Sequence, residues 1–101
     1  MNVKCVIKLI GDEAKGVSSR TGNEWKARHI LLEWTDGEDV NRVWATMFNQ
    51  VVEAFERGNF ALGSECVASL TFSGHSFRTG YNKTEVNVKD IRHATSLDNN
   101  F

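Results

Sequence analysis

Residues 41–74 read NRVWATMFNQVVEAFERGNFALGSECVASLTFSG, and the period of the apolar residues changes twice along this stretch. Over Asn41–Phe48, Val43, Ala45 and Met47 alternate with Arg42, Trp44 and Thr46, the two-residue period of a strand with one face inward. From Asn49 the apolar positions fall at Val51, Val52 and Phe55, one face of a short helix over Gln50–Arg57. Asn49 stands as its N-cap and Gly58 as its stop. Alternation returns over Glu65–Ser73, where Cys66, Ala68, Leu70 and Phe72 share one side. A helix of two turns is too short to be stable alone, so it must cap or plug something.

Working outward, Asn2–Ile10 sets Val3, Cys5, Ile7 and Leu9 against Lys4 and Lys8, a first strand. Gly11–Asn23 is polar and reads as a long loop or ribbon tip. Trp25–Trp34 is a second strand, but Lys26 and Arg28 share parity with Ile30 and Leu32, which calls for a bulge or a change of face. Thr35-Asp36-Gly37 is a turn. On the far side, a loop over Gly74–Asn82 leads to a last strand, Thr84–Arg92, with Val86 and Val88 alternating against Glu85, Asn87 and Lys89. Three strands, one helix and two strands is the order of a mainly β, five-stranded OB-fold Greek-key barrel. A sandwich would need about seven strands and no helix. The expected domain is 1–93, with 94–101 a flexible tail.

The 101 residues fit one domain, and 41% hydrophobic with 25% charged residues is ordinary for a globular chain. The formal net charge of −1 supplies no strong field towards polyanions. It is unevenly spread, however. Met1–Thr35 holds six Lys/Arg against four Asp/Glu, Asp36–Cys66 two against six, and the remainder four against three. Cys5 and Cys66 read as buried free thiols in facing strands. No signal-peptide pattern precedes Val3, and no apolar run approaches the ~20 residues that span a bilayer, so a cytoplasmic chain with no membrane partner is expected. His29, His75 and His93 are far apart and show no zinc spacing. Nothing marks a nucleophile elbow with an orienting acid. Neither catalysis, a metal nor a cofactor is expected.

The stretch 41–74, with its Arg-Val strand running into a helix, a glycine-ended turn and an apolar strand, resembles bacterial single-stranded-DNA-binding proteins. TGYNKTEVNV (79–88) resembles their loop and fifth strand. GVSSRTGNEWKARHILLEW (16–34), with Gly22-x-Glu24-Trp25-Lys26, resembles the uncharacterised single-domain OB proteins of Bacteroidetes-type genomes. Together the resemblance spans most of residues 2–93. It departs from the family at Val40-Asn41, where an aromatic usually precedes the strand's arginine, and at Thr46, where another is usual. The resemblance implies a non-catalytic module for single-stranded DNA, or RNA, and a homo-oligomer. The end, Leu97-Asp98-Asn99-Asn100-Phe101, is similar to the acidic, Phe-terminated tip through which that family recruits protein partners.

A single strand is held by cations along its backbone and by aromatic planes that stack on bases. The candidates of those kinds are Lys26, Arg28 and Arg42 for phosphates, Trp44, Phe77 and Tyr81 for bases, and Trp25, Arg78, Lys15 and Arg20 beside them. Each has a plainer alternative. Trp44 would pack on a neighbouring subunit, Trp25 would lid the barrel end, and Arg42 and Arg78 would be solvated or paired with Glu. Trp34 reads as core. Weak, sequence-tolerant binding per domain is expected from the near-zero charge. The alternative is an OB-fold protein-interaction or oligomerisation module without nucleic-acid binding.

Overall fold

The computed structural model describes residues 1–76 and 82–95. Its elements are β1 (Asn2–Val17), β2 (Glu24–Asp36), β3 (Asp39–Phe48), α1 (Gln50–Arg57), β4 (Glu65–Ser76) and β5 (Asn82–His93). The sheet closes in the order β1-β2-β3-β5-β4, the five-stranded barrel with one helix between β3 and β4 that the pattern predicts. Neighbours run antiparallel except β3 and β5, which meet in parallel at Thr46 and Asn87. The β3–β5 closure rests on that one bridge, and β1 beyond Val6 pairs with β2 alone.

The core is built from inward parities of all five strands: Cys5 and Ile7, Ile30 and Leu32, Ala45 and Met47, Cys66 and Leu70, Val88 and Ile91. Helix α1 turns Val52 and Phe55 into that interior and covers one end of it. Burying those two side chains stabilises the cap by about 1.5–3 kcal/mol each, as an upper bound. Among the described residues no helix is long and apolar enough to cross a membrane.

Several expectations are corrected. The Gly11–Asn23 segment is mostly strand: β1 continues to Val17 and pairs with β2 as far as Glu24, so only 18–23 form the tip. Likewise Gly74–Ser76 pair with Asn82–Thr84, so both ends of the expected loop are strand. The bulges lie on β1, at Ile7/Leu9 and Ile10/Glu13, while β2 pairs with β3 in unbroken register from Ala27–Phe48 to Asp36–Asp39. The first bulge inserts one residue, which turns Leu9 outward beside Leu31 and brings Ile10 onto the core. Phe72 keeps the parity of Leu70 yet is half exposed, two residues further along β4 towards its outer end.

The helix ends fall at Asn49 and Gly58 as expected, but they are held in another way. Asn49 has φ 48° and makes no side-chain cap; its Oδ1 accepts the Lys26 N–H at 3.0 Å, and its N–H donates to the Lys26 carbonyl at 2.9 Å. It therefore clips α1 to β2. Gly58 is right-handed, φ −76°, and Asn59 takes the left-handed position, φ 53°. Glycine is needed at 58 because a Cβ there would stand 2.3 Å from Cε2 of Phe60.

Candidate nucleic-acid interface

The β1–β2 ribbon carries the first group of candidates. Its tip is closed by Ser18 and Asn23, the Ser18 N–H donating to the Asn23 carbonyl at 2.8 Å, with Gly22 left-handed at φ 74°. That pairing sets Lys15 opposite Lys26 and Gly16 opposite Trp25. The indole covers Gly16 so closely that a Cβ there would lie 2.9–3.2 Å from three of its atoms. Trp25 is 39% exposed, so its ring is both held and accessible. Arg20 stands exposed at the tip.

An open cleft of about 540 Å³ lies between this ribbon and α1, lined among others by Lys15, Gly16, Trp25, Lys26, Asn49 and Glu53. Glu13 and Glu24 also line it. Lys26 pairs with Glu53 at 3.3 Å, while Lys15 and Arg20 have no ion-pair partner among the described residues. Two lysines against three glutamates make the cleft slightly acidic, so it exerts no strong pull on a polyanion.

Arg28 lies elsewhere. Its parity is inward, and no bulge on β2 turns it out. Instead its Nε donates to the Gly11 carbonyl at 2.7 Å, and its guanidinium sits 5.9 Å from the Phe55 ring centroid. The conflict between its charge and its side of the sheet is met at the helix-capped end of the barrel, where Gly11 supplies an acceptor and Phe55 a π face.

The outer face of β1-β2-β3 holds the second group. Arg42 and Trp44 point out from β3, as their alternation predicts. Arg42 is drawn to its cross-strand neighbour Glu33, Nε donating to Oε2. That guanidinium holds the Glu33 carboxyl below the usual carboxylate range, with burial opposing. Leu9, Leu31 and Trp44 are successive partners across three strands. Leu9 and Trp44 are each about half exposed, as is Phe48 four residues along the same face. Trp34 packs against the core from the inner side, as expected.

Phe77, Arg78, Tyr81 and the Phe101 tip lie outside the described residues. The described candidates thus form two surfaces, ribbon and outer sheet, with Arg28 on neither. Gly16 and Glu53 are not among the sequence candidates, and Asn49 is read there only as the helix cap. Reading Ser18–Asn23 as a hairpin tip would have set Gly16 across from Trp25, but the partners on α1 depend on how the helix docks. Among the described residues no group of three His, Cys, Asp or Glu is placed to hold a metal ion.

No family model matches the chain, and no curated protein matches it in sequence. Solved structures do match it in shape. The SSB domain of a protein from Synechococcus sp. has a TM-score of 0.62 at 11% identity, with 92% of each chain covered. The mitochondrial single-stranded-DNA-binding protein Rim1 from S. cerevisiae has a TM-score of 0.65 at 15% identity, with 94% of each covered. At such identities the likeness is one of fold. The chain is a closed five-stranded barrel of OB type, similar in fold to these two structures.

Proposed function

We propose that this barrel is a non-catalytic module that binds single-stranded nucleic acid, DNA foremost, weakly and with little sequence preference. The observation that carries the reading is Trp25, an indole held against Gly16 and exposed beside Lys15 and Lys26 at the mouth of an open cleft. A fixed, accessible ring is what base stacking needs, each stack contributing about 1–3 kcal/mol. The β1–β2 and β4–β5 loops are the usual binding walls of OB folds, so Phe77, Arg78 and Tyr81 are proposed to complete the groove. Lys15, Arg20 and Lys26 would meet phosphates. Arg42 and Trp44 would extend the path over the sheet. Arg28 is left out, since Gly11 and Phe55 already engage it. The functional unit is taken as residues 1–93, with 94–101 as a tail.

The mixed charge of the cleft supports low affinity, in the range of about 1–100 µM typical of non-specific contacts. The test is tryptophan fluorescence during titration with oligo-dT at low salt. Saturable quenching that weakens as salt rises is expected, and Trp25→Phe should remove most of it. No quenching and no salt dependence would overturn the proposal.

A second reading has its own observation. The half-exposed row of Leu9 and Trp44 around Leu31 is the kind of apolar sheet surface that buries against another chain. In that reading the barrel is an assembly module. Light scattering would then show an oligomer that Trp44→Glu dissociates and that ignores oligonucleotide.

A further inference from the structure

Cys5 and Cys66 take no part in either reading, yet their placement is specific. They are directly opposed on β1 and β4, partners in a seam of five register pairs that runs from Asn2–Ser69 to Val6–Glu65. Both side chains point into the core, 2% and 0% exposed, and their Sγ atoms lie 3.6 Å apart, unbonded. Opposed residues in an antiparallel pair have Cα atoms about 4.5–5.5 Å apart. The spacing expected of such a pair therefore falls within the span of about 4.4–6.8 Å that a disulfide bridges.

We propose that Cys5 and Cys66 are a reversible redox staple: a hydroperoxide converts the facing dithiol into a disulfide that locks β1 to β4 across the barrel seam. The two sulfurs face each other across the seam. One hydrogen bond is shared between the two sulfurs. Donated by Cys66, that bond pulls the Cys5 thiol below its ordinary range, against the effect of burial. The same bond, with burial, pushes the Cys66 thiol up. Either sulfur of the facing pair can ionise and attack first. With Cys5 first, its thiolate takes the distal oxygen of the hydroperoxide, becoming a sulfenic acid and releasing hydroxide (or alkoxide). The sulfur of Cys66 then attacks the Cys5 sulfur. The S–O bond breaks, the S–S bond forms, and the Cys66 proton leaves with the hydroxyl as water. Two electrons pass from the dithiol to the peroxide, and a dithiol reductant reverses the change.

Burial makes the pair selective for a small oxidant admitted by opening of a short seam, and it holds the sulfenic acid beside its only described thiol partner. The bond would close a long loop, from residue 5 to residue 66, which is the arrangement in which a cross-link restricts the unfolded chain most. The proposal does not depend on nucleic-acid binding.

The experiment treats the folded chain with hydrogen peroxide, then unfolds it in iodoacetamide and weighs it intact. The expected product is monomeric, about 2 Da lighter, closed to alkylation and restored by dithiothreitol. Its melting point should exceed that of the reduced chain by about 8 °C or more. Cys5→Ser and Cys66→Ser should each abolish the 2 Da loss. Two alkylated thiols after treatment, cysteine oxygen adducts in place of the disulfide, or cross-linked dimers would each overturn the proposal. The decisive mass comes from the unmodified protein, so the test stands even where a serine variant fails to fold.

Discussion

Gly58→Ala sets two calculable effects against each other. At φ −76° an alanine meets no backbone strain, and replacing glycine in such a conformation stabilises by about 0.4–1 kcal/mol through the unfolded chain. Against this, the new Cβ would stand 2.3 and 2.8 Å from two carbons of the Phe60 ring. That ring cannot give way freely. It stacks on Phe55 at 5.2 Å with 3° between planes, and on His93 at 4.1 Å with 9°. Aromatic pairs contribute about 0.5–1.5 kcal/mol each, so displacing Phe60 from both costs about 1–3 kcal/mol. The balance is a net loss near 1 kcal/mol, or about 5 °C in melting temperature for a domain of this size. Thermal unfolding followed by circular dichroism reads it directly. In a Phe60→Ala background the clash is gone, and the same substitution should become stabilising. If Gly58→Ala raises the melting point of the otherwise unchanged chain, the packing argument for the α1–β5 seam is wrong.

Three further outcomes follow from the two surfaces. Glu33→Gln releases Arg42 from its cross-strand partner, so affinity for oligo-dT should rise and the salt dependence should steepen by about one ion; unchanged binding and slope would show that Arg42 is off the path. The Glu33 carboxyl is held low by Arg42, so its contribution to stability is present above the ordinary value of 4.5 and is lost as pH falls through the lowered folded value. Carboxyl NMR titration should show this depression, and Arg42→Ala should return the group towards 4.5. Gly16→Val must push the indole off the ribbon, which should shift Trp25 emission and weaken oligo-dT quenching while the melting point changes little; quenching that survives would remove Trp25 as the stacking platform.

The element order was legible because each period is a local property. Val43, Ala45 and Met47 alternate whatever the barrel does, and Val52 and Phe55 share a helix face whatever they cap. The facing cysteines follow from two inward parities on strands that meet. Leu9 was not legible, since barrel closure and not local sequence places the bulge that turns it out. Phe72 fails for a related reason: parity says which side a residue faces but not where the strand leaves the core. The candidate site was half readable. Alternation alone put Arg42 and Trp44 on the outer face of β3. The hold of Gly16 on Trp25 and of Glu53 on Lys26 needed ribbon register and helix docking, which are long-range facts. Arg28 shows the cost of that gap, because a cation with inward parity was resolved by a carbonyl and a ring that sequence order does not bring near it.

Amide-resolved NMR of the labelled chain, titrated with a short oligo-dT at low salt, bears on the central claim most directly. The account predicts saturable shifts centred on Gly16, Trp25 and Lys26 that shrink as salt is added. Spectra that stay unchanged up to about 1 mM oligonucleotide, well beyond the weakest non-specific range, would contradict it.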